Sequence, residues 1–356
     1  MRNLRAERAT DVAALADNAR AIGRAADGRE VIAVVKADAY GNGLVRCARA
    51  LKGEAAMFAV ATASEAKRLL DAKICLPVLI MGTLSKDELR AAALLDGASL
   101  AVSSLAEAAY LDRLAAAAGR RIPVHIAVDS GMHRFGFAPD TKTIGLVATF
   151  RGVAVEGIYT HYARPDDDAF TRRQCDVFCD VVEKLKARGM NFRFVHAAAS
   201  GAVCRGVGLC GNAVRVGLAL YGCGDLPGLR PVAAVTARVL CVRTLERGDG
   251  IGYGTVFAAP CRMRVAVVSA GYADGVPLSL SGRGIVLVGG TRCRIVGAVC
   301  MDVFFCDVSA AGEVKEGDAV TVVGRDGKAA ISLEEQAALA GTSPYELSCR
   351  LGRGGR

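Results

Sequence analysis

Val31-Ile-Ala-Val-Val-Lys36-Ala-Asp-Ala-Tyr40-Gly-Asn-Gly43 opens with five consecutive apolar residues and ends in a loop bracketed by glycines. An apolar run without alternation reads as a strand buried on both faces, the habit of parallel sheets. Seven more runs follow at 57–60, 77–81, 99–102, 124–128, 155–159, 192–195 and 213–217. Between them lie alanine-rich segments of helical period, such as 64–70, 105–117 and 170–186, after a helical opening over 10–25. Eight βα repeats within about 220 residues favour a TIM (β/α)8 barrel over an open doubly wound sheet.

The pattern changes at the Gly/Pro-rich stretch Gly222-Cys-Gly-Asp-Leu-Pro-Gly228. Beyond it, residues 232–245, 264–269, 285–288, 292–299, 303–308 and 319–323 read as strands joined by glycine-rich turns. Only 332–340 and 343–349 read as helices, and Ser332 with Glu335 and Ser343 with Glu346 have capping-box spacing. The expected class is therefore α/β: a barrel over residues 1–225, then a mainly β domain over 226–356.

Composition narrows the function. A chain of 356 residues is long enough for two cores. With 52% hydrophobic and 23% charged residues, it is not a disordered polymer. The formal charge of +9 invites a nucleic-acid partner, but the basic residues are scattered until the tail Arg350, Arg353 and Arg356. Absence of Trp leaves few stacking platforms for bases, so a small phosphate-bearing ligand accounts for the charge at least as well. The opening residues are polar and no apolar run approaches a membrane span, which points to a cytoplasmic protein with no membrane partner. The thirteen cysteines form no C-x-x-C pair, the nearest approach being Cys175 and Cys179 at helical spacing. They read as reduced core residues, and the four histidines lie too far from any cysteine pair to suggest a metal site.

A barrel of this kind carries its chemistry at the C-terminal ends of its strands. Lys36 closes the first strand. It is either a surface residue whose stem snorkels, the commoner case for position alone, or a desolvated amine prepared for Schiff-base chemistry. Arg215, within the apolar run Ala213-Val-Arg-Val-Gly217-Leu218, needs a partner because an unpaired buried charge is costly. It reads either as half of an interior ion pair or as a cationic donor to a ring nitrogen or a carboxylate. The backbone of Gly217 and Leu218 suits a phosphate. His161 and Ser200 also follow strands, and Arg134 is either a loop cation or a carboxylate fork.

Ala-Val-Val-Lys36-Ala-Asp-Ala-Tyr40-Gly resembles the cofactor-lysine motif of the barrel-type alanine racemases, which use pyridoxal 5′-phosphate. The likeness continues in order through Ser-Gly-Met-His-Arg134, Tyr-Thr-His161, His196-Ala-Ala-Ala-Ser200, Arg215-Val-Gly217-Leu218, Gly-Tyr253-Gly-Thr, Gly-Tyr272-Ala-Asp-Gly and Val-Cys-Met301-Asp. The resemblance implies that Lys36 would hold the cofactor covalently and act as one base. Tyr253 would be the second base, on the opposite face, as a two-base racemisation requires. His161 would interact with Tyr253, and Arg134 would assist it while orienting the substrate carboxylate. Arg215 would face the pyridine nitrogen, and His196 would stand beside the cofactor. Tyr40, Ser200, Gly217 and Leu218 would hold the phosphate, while Tyr272 and Met301 would line the substrate site. Tyr253 and Met301 would reach the lysine of a second subunit, so the resemblance implies a homodimer with shared active sites.

Three positions depart from the family pattern. Ala127 stands where many members have a lysine that braces the arginine corresponding to Arg134, which leaves that brace to an anion or another side chain. Asn42 replaces a histidine, a change in supporting contacts. Arg353 falls near a position often occupied by a phosphate-contacting aromatic. Other readings are a racemase of serine, lysine, arginine or a broader range, a pyridoxal-phosphate carrier, and a barrel decarboxylase with a β domain. Tyr253 in a second domain argues against the carrier; Gly-Tyr253-Gly-Thr and Arg215 have no purpose in the decarboxylase.

Overall fold

In the computed structural model, which describes residues 5–352, all eight apolar runs of the first half are strands. A short lead strand, β1 (Glu7–Thr10), precedes them. They are β2 (Glu30–Val34), β3 (Met57–Val60), β4 (Val78–Ile80), β5 (Ala98–Val102), β6 (Ile122–Ala127), β7 (Val153–Tyr159), β8 (Phe194–Ala199) and β9 (Ala213–Val216). Each pairs in parallel with the next, and β2 pairs with β9, Ile32 opposite Arg215, to close the barrel. Every residue of β3, β4 and β9 is buried, as expected for strands covered on both faces.

The covering helices begin and end where the chain chemistry directs. Thr62 and Ser85 open Ala63–Asp71 and Lys86–Ala93 with reciprocal capping boxes to Glu65 and Glu88. Gly119 ends Leu105–Ala118 in the left-handed region, at φ 61°. The helix Asp168–Ala187 buries Thr171, Gln174, Phe178, Val181, Val182 and Leu185, one stripe at three- and four-residue spacing. Phe178 is fully buried, which contributes roughly 1.5–3 kcal/mol.

The second unit is antiparallel throughout. Its further strands are β10 (Ala233–Leu245), β11 (Met263–Val268), β12 (Ile285–Val288), β13 (Thr291–Val296), β14 (Phe304–Asp307), β15 (Ala319–Asp326) and β16 (Ala329–Ile331), in the order β1-β10-β11-β14-β13-β12-β15-β16. The long strand β10 pairs with both β11 and β15, with a bulge between Val239 and Cys241, so its six-strand core joins into a ring. Gly289 and Gly290, both at positive φ, form the two-residue hairpin between Val288 and Thr291. Two helices follow, Leu333–Ala340 and Pro344–Arg350, with Ser332 and Ser343 accepting from the N–H groups of Glu335 and Glu346. By contact the barrel unit is residues 12–39 and 43–230, and the β unit is 5–11, Tyr40–Asn42 and 231–352. Residues 5–11 join the β unit because β1 pairs with β10, Glu7 opposite Thr236.

Candidate active site

At the end of β2 the backbone turns against its natural hand. Ala37, Asp38, Ala39 and Tyr40 all have φ between 54° and 56°, a left-handed turn made without glycine. Each such residue costs about 1–2 kcal/mol, so its surroundings must hold it. Within the barrel unit Glu65 accepts from the N–H of Ala37 (2.6 Å) with one oxygen and from Ala61 (2.9 Å) with the other. The Asp38 carboxylate accepts from Leu44 N–H (3.1 Å) and from Arg68 (2.9 Å). The turn fixes the backbone that carries Lys36, whose side chain is exposed.

Arg215, 4% exposed, is the hub of the barrel end. One Nη donates to His196 Nδ1 (2.8 Å) and to the His196 carbonyl (3.1 Å). The other donates to the carbonyls of Thr160 (2.7 Å) and Ala197 (3.3 Å) and to His161 Nδ1 (3.0 Å). A guanidinium only donates, so both imidazoles must accept at Nδ1 and carry their proton at Nε2. His196 Nε2 then donates to His125 Nδ1 (2.9 Å), and His125 turns its own Nε2–H toward Glu156, 3.8 Å away. The Tyr159 ring stacks on His196 at 5.1 Å and lies under the Arg215 guanidinium at 5.0 Å.

Charge and burial set the proton states. His161 is held down to about 3, first by burial and then by the positive charges of Arg215, Arg134 and Lys36. His196 is pushed well below the ordinary histidine range by burial, then by Arg215 and His125. Burial lowers Arg215 itself to about 10, which leaves it cationic at neutral pH. His161 is thus a neutral imidazole among three cations, with Nε2–H as its donor. Arg134 is exposed, with its guanidinium 4.8 Å from the ring of Phe135. A shallow cleft beside it is lined by Ala127, Arg134, Tyr159, Thr160 and His161.

Ser200 opens the segment after β8, and its Oγ accepts from the N–H groups of Gly217 (3.1 Å) and Ala219 (3.2 Å). Leu218 belongs to the same turn, Leu218–Tyr221. The barrel unit therefore carries Lys36, Arg134, His161, Ser200, Gly217 and Leu218 beyond its strand ends, with His196 inside β8 and Arg215 inside β9. The sequence reading missed Glu65, His125, Glu156, Tyr159 and Thr160. A histidine inside the apolar strand Ile122-Pro-Val-His-Ile-Ala was the available signal for His125.

Four further site residues belong to the β unit. Tyr40 is buried, with its phenol pushed up by burial, and its ring lies 6.1 Å from that of Tyr345. Its carbonyl accepts from Arg8 (3.2 Å) and Ser348 (2.9 Å), and Arg8 also donates to Asn42 Oδ1 (2.9 Å). Asn42, in the histidine's place, thus helps to hold residues 40–42 within the β unit. Tyr272 and Met301 are brought together: Tyr272 N–H donates to the Cys300 carbonyl and Ala273 N–H to that of Met301, each at 3.0 Å. Gly271 permits this, because a Cβ there would run into both carbonyls. Tyr253 stands on a short turn after Gly252 and is 78% exposed. Arg353 lies outside the described residues.

The alanine racemase N-terminal domain family matches residues 10–225, and the alanine racemase C-terminal domain family matches residues 232–355. An alanine racemase of Desulforamulus reducens is 39% identical over 338 residues, covering 91% of this chain and 90% of the relative. The crystal structure of alanine racemase from D-cycloserine-producing Streptomyces lavendulae superposes with a TM-score of 0.93 at 31% identity, covering 99% of this chain and 96% of that one. The structure from Bartonella henselae, described with covalently bound pyridoxal phosphate, has a TM-score of 0.87 at 27% identity and covers 98% of each chain. With a donor-only arginine between two neutral imidazoles, an amine on a clamped strand end and two matching domain families, this chain belongs to the alanine racemase family of isomerases.

Proposed function

We propose that the chain interconverts L-alanine and D-alanine with pyridoxal 5′-phosphate as cofactor, and that Lys36 and Tyr253 are its two bases. The observation that carries this reading is the grouping of Lys36, Arg134 and Arg215 around a neutral His161. The residues suit the cofactor: Ser200 Oγ accepts from the N–H groups of Gly217 and Ala219 and keeps its own proton to donate to a phosphate, and Arg215 is a buried cation for a ring nitrogen. The covalently bound pyridoxal phosphate named for the Bartonella henselae relative supports the same assignment. When bound, the cofactor supplies an electron-withdrawing ring that acidifies the substrate α-hydrogen.

The chain's own residues would do the rest. Lys36 anchors the cofactor through its amine and moves the proton on one face. Arg215 has no proton to release, so a ring nitrogen facing it stays unprotonated, which tempers the ring's electron demand. Ser200, Gly217, Leu218 and Tyr40 bind the phosphate, with His196 supporting Arg215 beside the ring. Arg134 orients the substrate carboxylate, and Tyr272 and the Met301 N–H line its other side. His161 Nε2–H donates to Tyr253 and stabilises the phenolate, the form in which a tyrosine can take a proton.

In this reading the barrel part, residues 1–225, binds the cofactor, and residues 226–356 supply Tyr253 and Met301 to the barrel of a second copy in a head-to-tail homodimer. The high exposure of Tyr253 in one chain supports that sharing. Among the described residues no helix is long and apolar enough to cross a membrane, and thirteen cysteines suit the reducing cytoplasm where we place the enzyme.

Mixing two inactive variants tests the whole proposal. Lys36→Ala and Tyr253→Ala chains, unfolded together and refolded with cofactor, should regain about a quarter of wild-type alanine racemisation, because half the dimers are mixed and each holds one complete site. No recovery would exclude shared sites. Turnover of serine or lysine above that of alanine, in the same chiral assay, would replace the substrate.

A further inference from the structure

Away from this chemistry, the barrel unit brings three sulfurs together. Cys175 and Cys179 sit one turn apart on the helix Asp168–Ala187, with Sγ atoms 3.9 Å apart. The segment before β9 delivers Cys210, and all three Sγ atoms lie within 4.8 Å of one another. Linear spacing hides this group, because its third member arrives only through the fold.

Cys210 is held by its backbone. Its N–H donates to the Gly208 carbonyl (2.9 Å), and Gly208 and Gly211 on either side have φ of 66° and 75°. A Cβ on Gly208 would meet the Tyr162 ring at 2.8 Å, and one on Gly211 would run into the Val195 carbonyl. Arg29 donates to the Leu209 carbonyl (2.6 Å), and Tyr162 Oη donates to that of Gly208 (2.8 Å) while lying 3.5 Å from Cys210 Sγ. The third sulfur is therefore placed before any ligand arrives. All three cysteines are half-buried, so an ion from solvent can reach them.

We propose that Cys175, Cys179 and Cys210 form a three-thiolate site for a thiophilic d10 metal ion such as Zn2+, with water in the fourth position. Zinc–sulfur bonds of about 2.3 Å in a tetrahedron set sulfurs roughly 3.8 Å apart, the separation already present in the helical pair. Closing the tripod draws Cys210 inward by at most about 1 Å. A bound ion would clamp the helix to the segment leading into β9, the strand of Arg215.

The test uses the reduced, cofactor-loaded, full-length protein after chelator treatment. Titration with Zn2+ against a chromophoric chelator should give one tight site per chain. Cd2+ should add one thiolate-to-metal absorption band per chain. Cys210→Ser should remove the band and weaken Zn2+ binding more than about 100-fold, beyond what the loss of a supporting contact costs. Cys175→Ser should do the same, and each variant's melting without metal shows whether it is folded. Cys75→Ser and Cys261→Ser, at exposed cysteines elsewhere, should change neither. Absence of the band in wild type, its persistence in both folded cluster variants, or a disulfide between two of the three thiols that persists under reducing conditions would overturn the proposal.

Discussion

The Nη1 of Arg215 donates to Nδ1 of His196 across 2.8 Å, inside a barrel end where neither residue meets solvent appreciably. Because arginine can only donate, this one contact sets the tautomer of His196 and, through it, that of His125. The line from the site to Glu156 thus has a fixed hydrogen-bond polarity.

Arg215→Lys tests that geometry. A lysine keeps the charge but lacks the fork that serves two imidazoles and three carbonyls at once. The expected outcome is a loss of stability of about 2–4 kcal/mol in urea unfolding of the cofactor-free protein, since buried acceptors lose their donor. Racemisation should fall by about 100-fold or more, a scale typical of a removed preorganised donor. Unchanged unfolding would show that the fork does not organise the barrel end.

The depressed histidines predict how stability follows pH. His161 titrates near 3 in the folded chain and near 6.5 when unfolded, so between those values the unfolded state binds more protons. Stability therefore rises with pH through that window, is full above about 6.5, and is lost as pH falls toward 3. His196 and His125 are shifted in the same direction and add to the slope. Lowered carboxylates such as Glu156 and Asp140 act only in the more acid part of the window. Urea unfolding at pH 5.2 to 6.2 should thus isolate the histidines, about one proton of slope disappearing in His161→Gln. An identical slope in that variant would contradict the buried neutral imidazole.

The barrel strands were legible because covering both faces leaves an unbroken apolar run, as in Met57–Val60. Strand β1, Glu7-Arg-Ala-Thr, carries no such mark, since it is half exposed and is defined only by its pairing with β10. Lys36 and Arg215 stood out as candidates because each is a charge inside apolar sequence. The support was not: nothing in Ala37-Asp-Ala-Tyr40 favours a left-handed turn, and Glu65 looks like an ordinary helix-start acid until its two oxygens are placed. Nor did composition describe the cysteines fully. Cys47, Cys223, Cys293, Cys300 and Cys306 are buried, as core thiols should be, but Cys75 and Cys261 are exposed.

Glu65 should prove intolerant even of its amide. One carboxylate oxygen serves Ala37 and the other serves Ala61 and Thr62, all as acceptors. Glu65→Gln would aim an NH2 group at one of those donors, so Glu65→Gln and Glu65→Ala should both cost about 1–3 kcal/mol in unfolding experiments. Both should also slow racemisation by loosening the backbone beneath Lys36. A silent Glu65→Gln would mean that the turn is held by Asp38 and its partners alone.

Removing one base should produce a different defect from removing the other. Lys36→Ala should abolish both racemisation and the yellow colour of the bound cofactor, because the anchoring amine is gone. Tyr253→Phe should keep the colour and the melting temperature, since an exposed phenol supports little of the fold. It should nevertheless stop proton removal from one enantiomer while leaving exchange at the Lys36 face. Proton exchange of L- and D-alanine in heavy water, followed separately by NMR, measures this directly. The retained enantiomer should exchange its α-hydrogen without inverting, at a rate at least about 100-fold above the other, the low end of what a positioned general base contributes. Equal loss for both enantiomers would remove Tyr253 from the role of second base and leave Lys36 working both faces or another group opposite it.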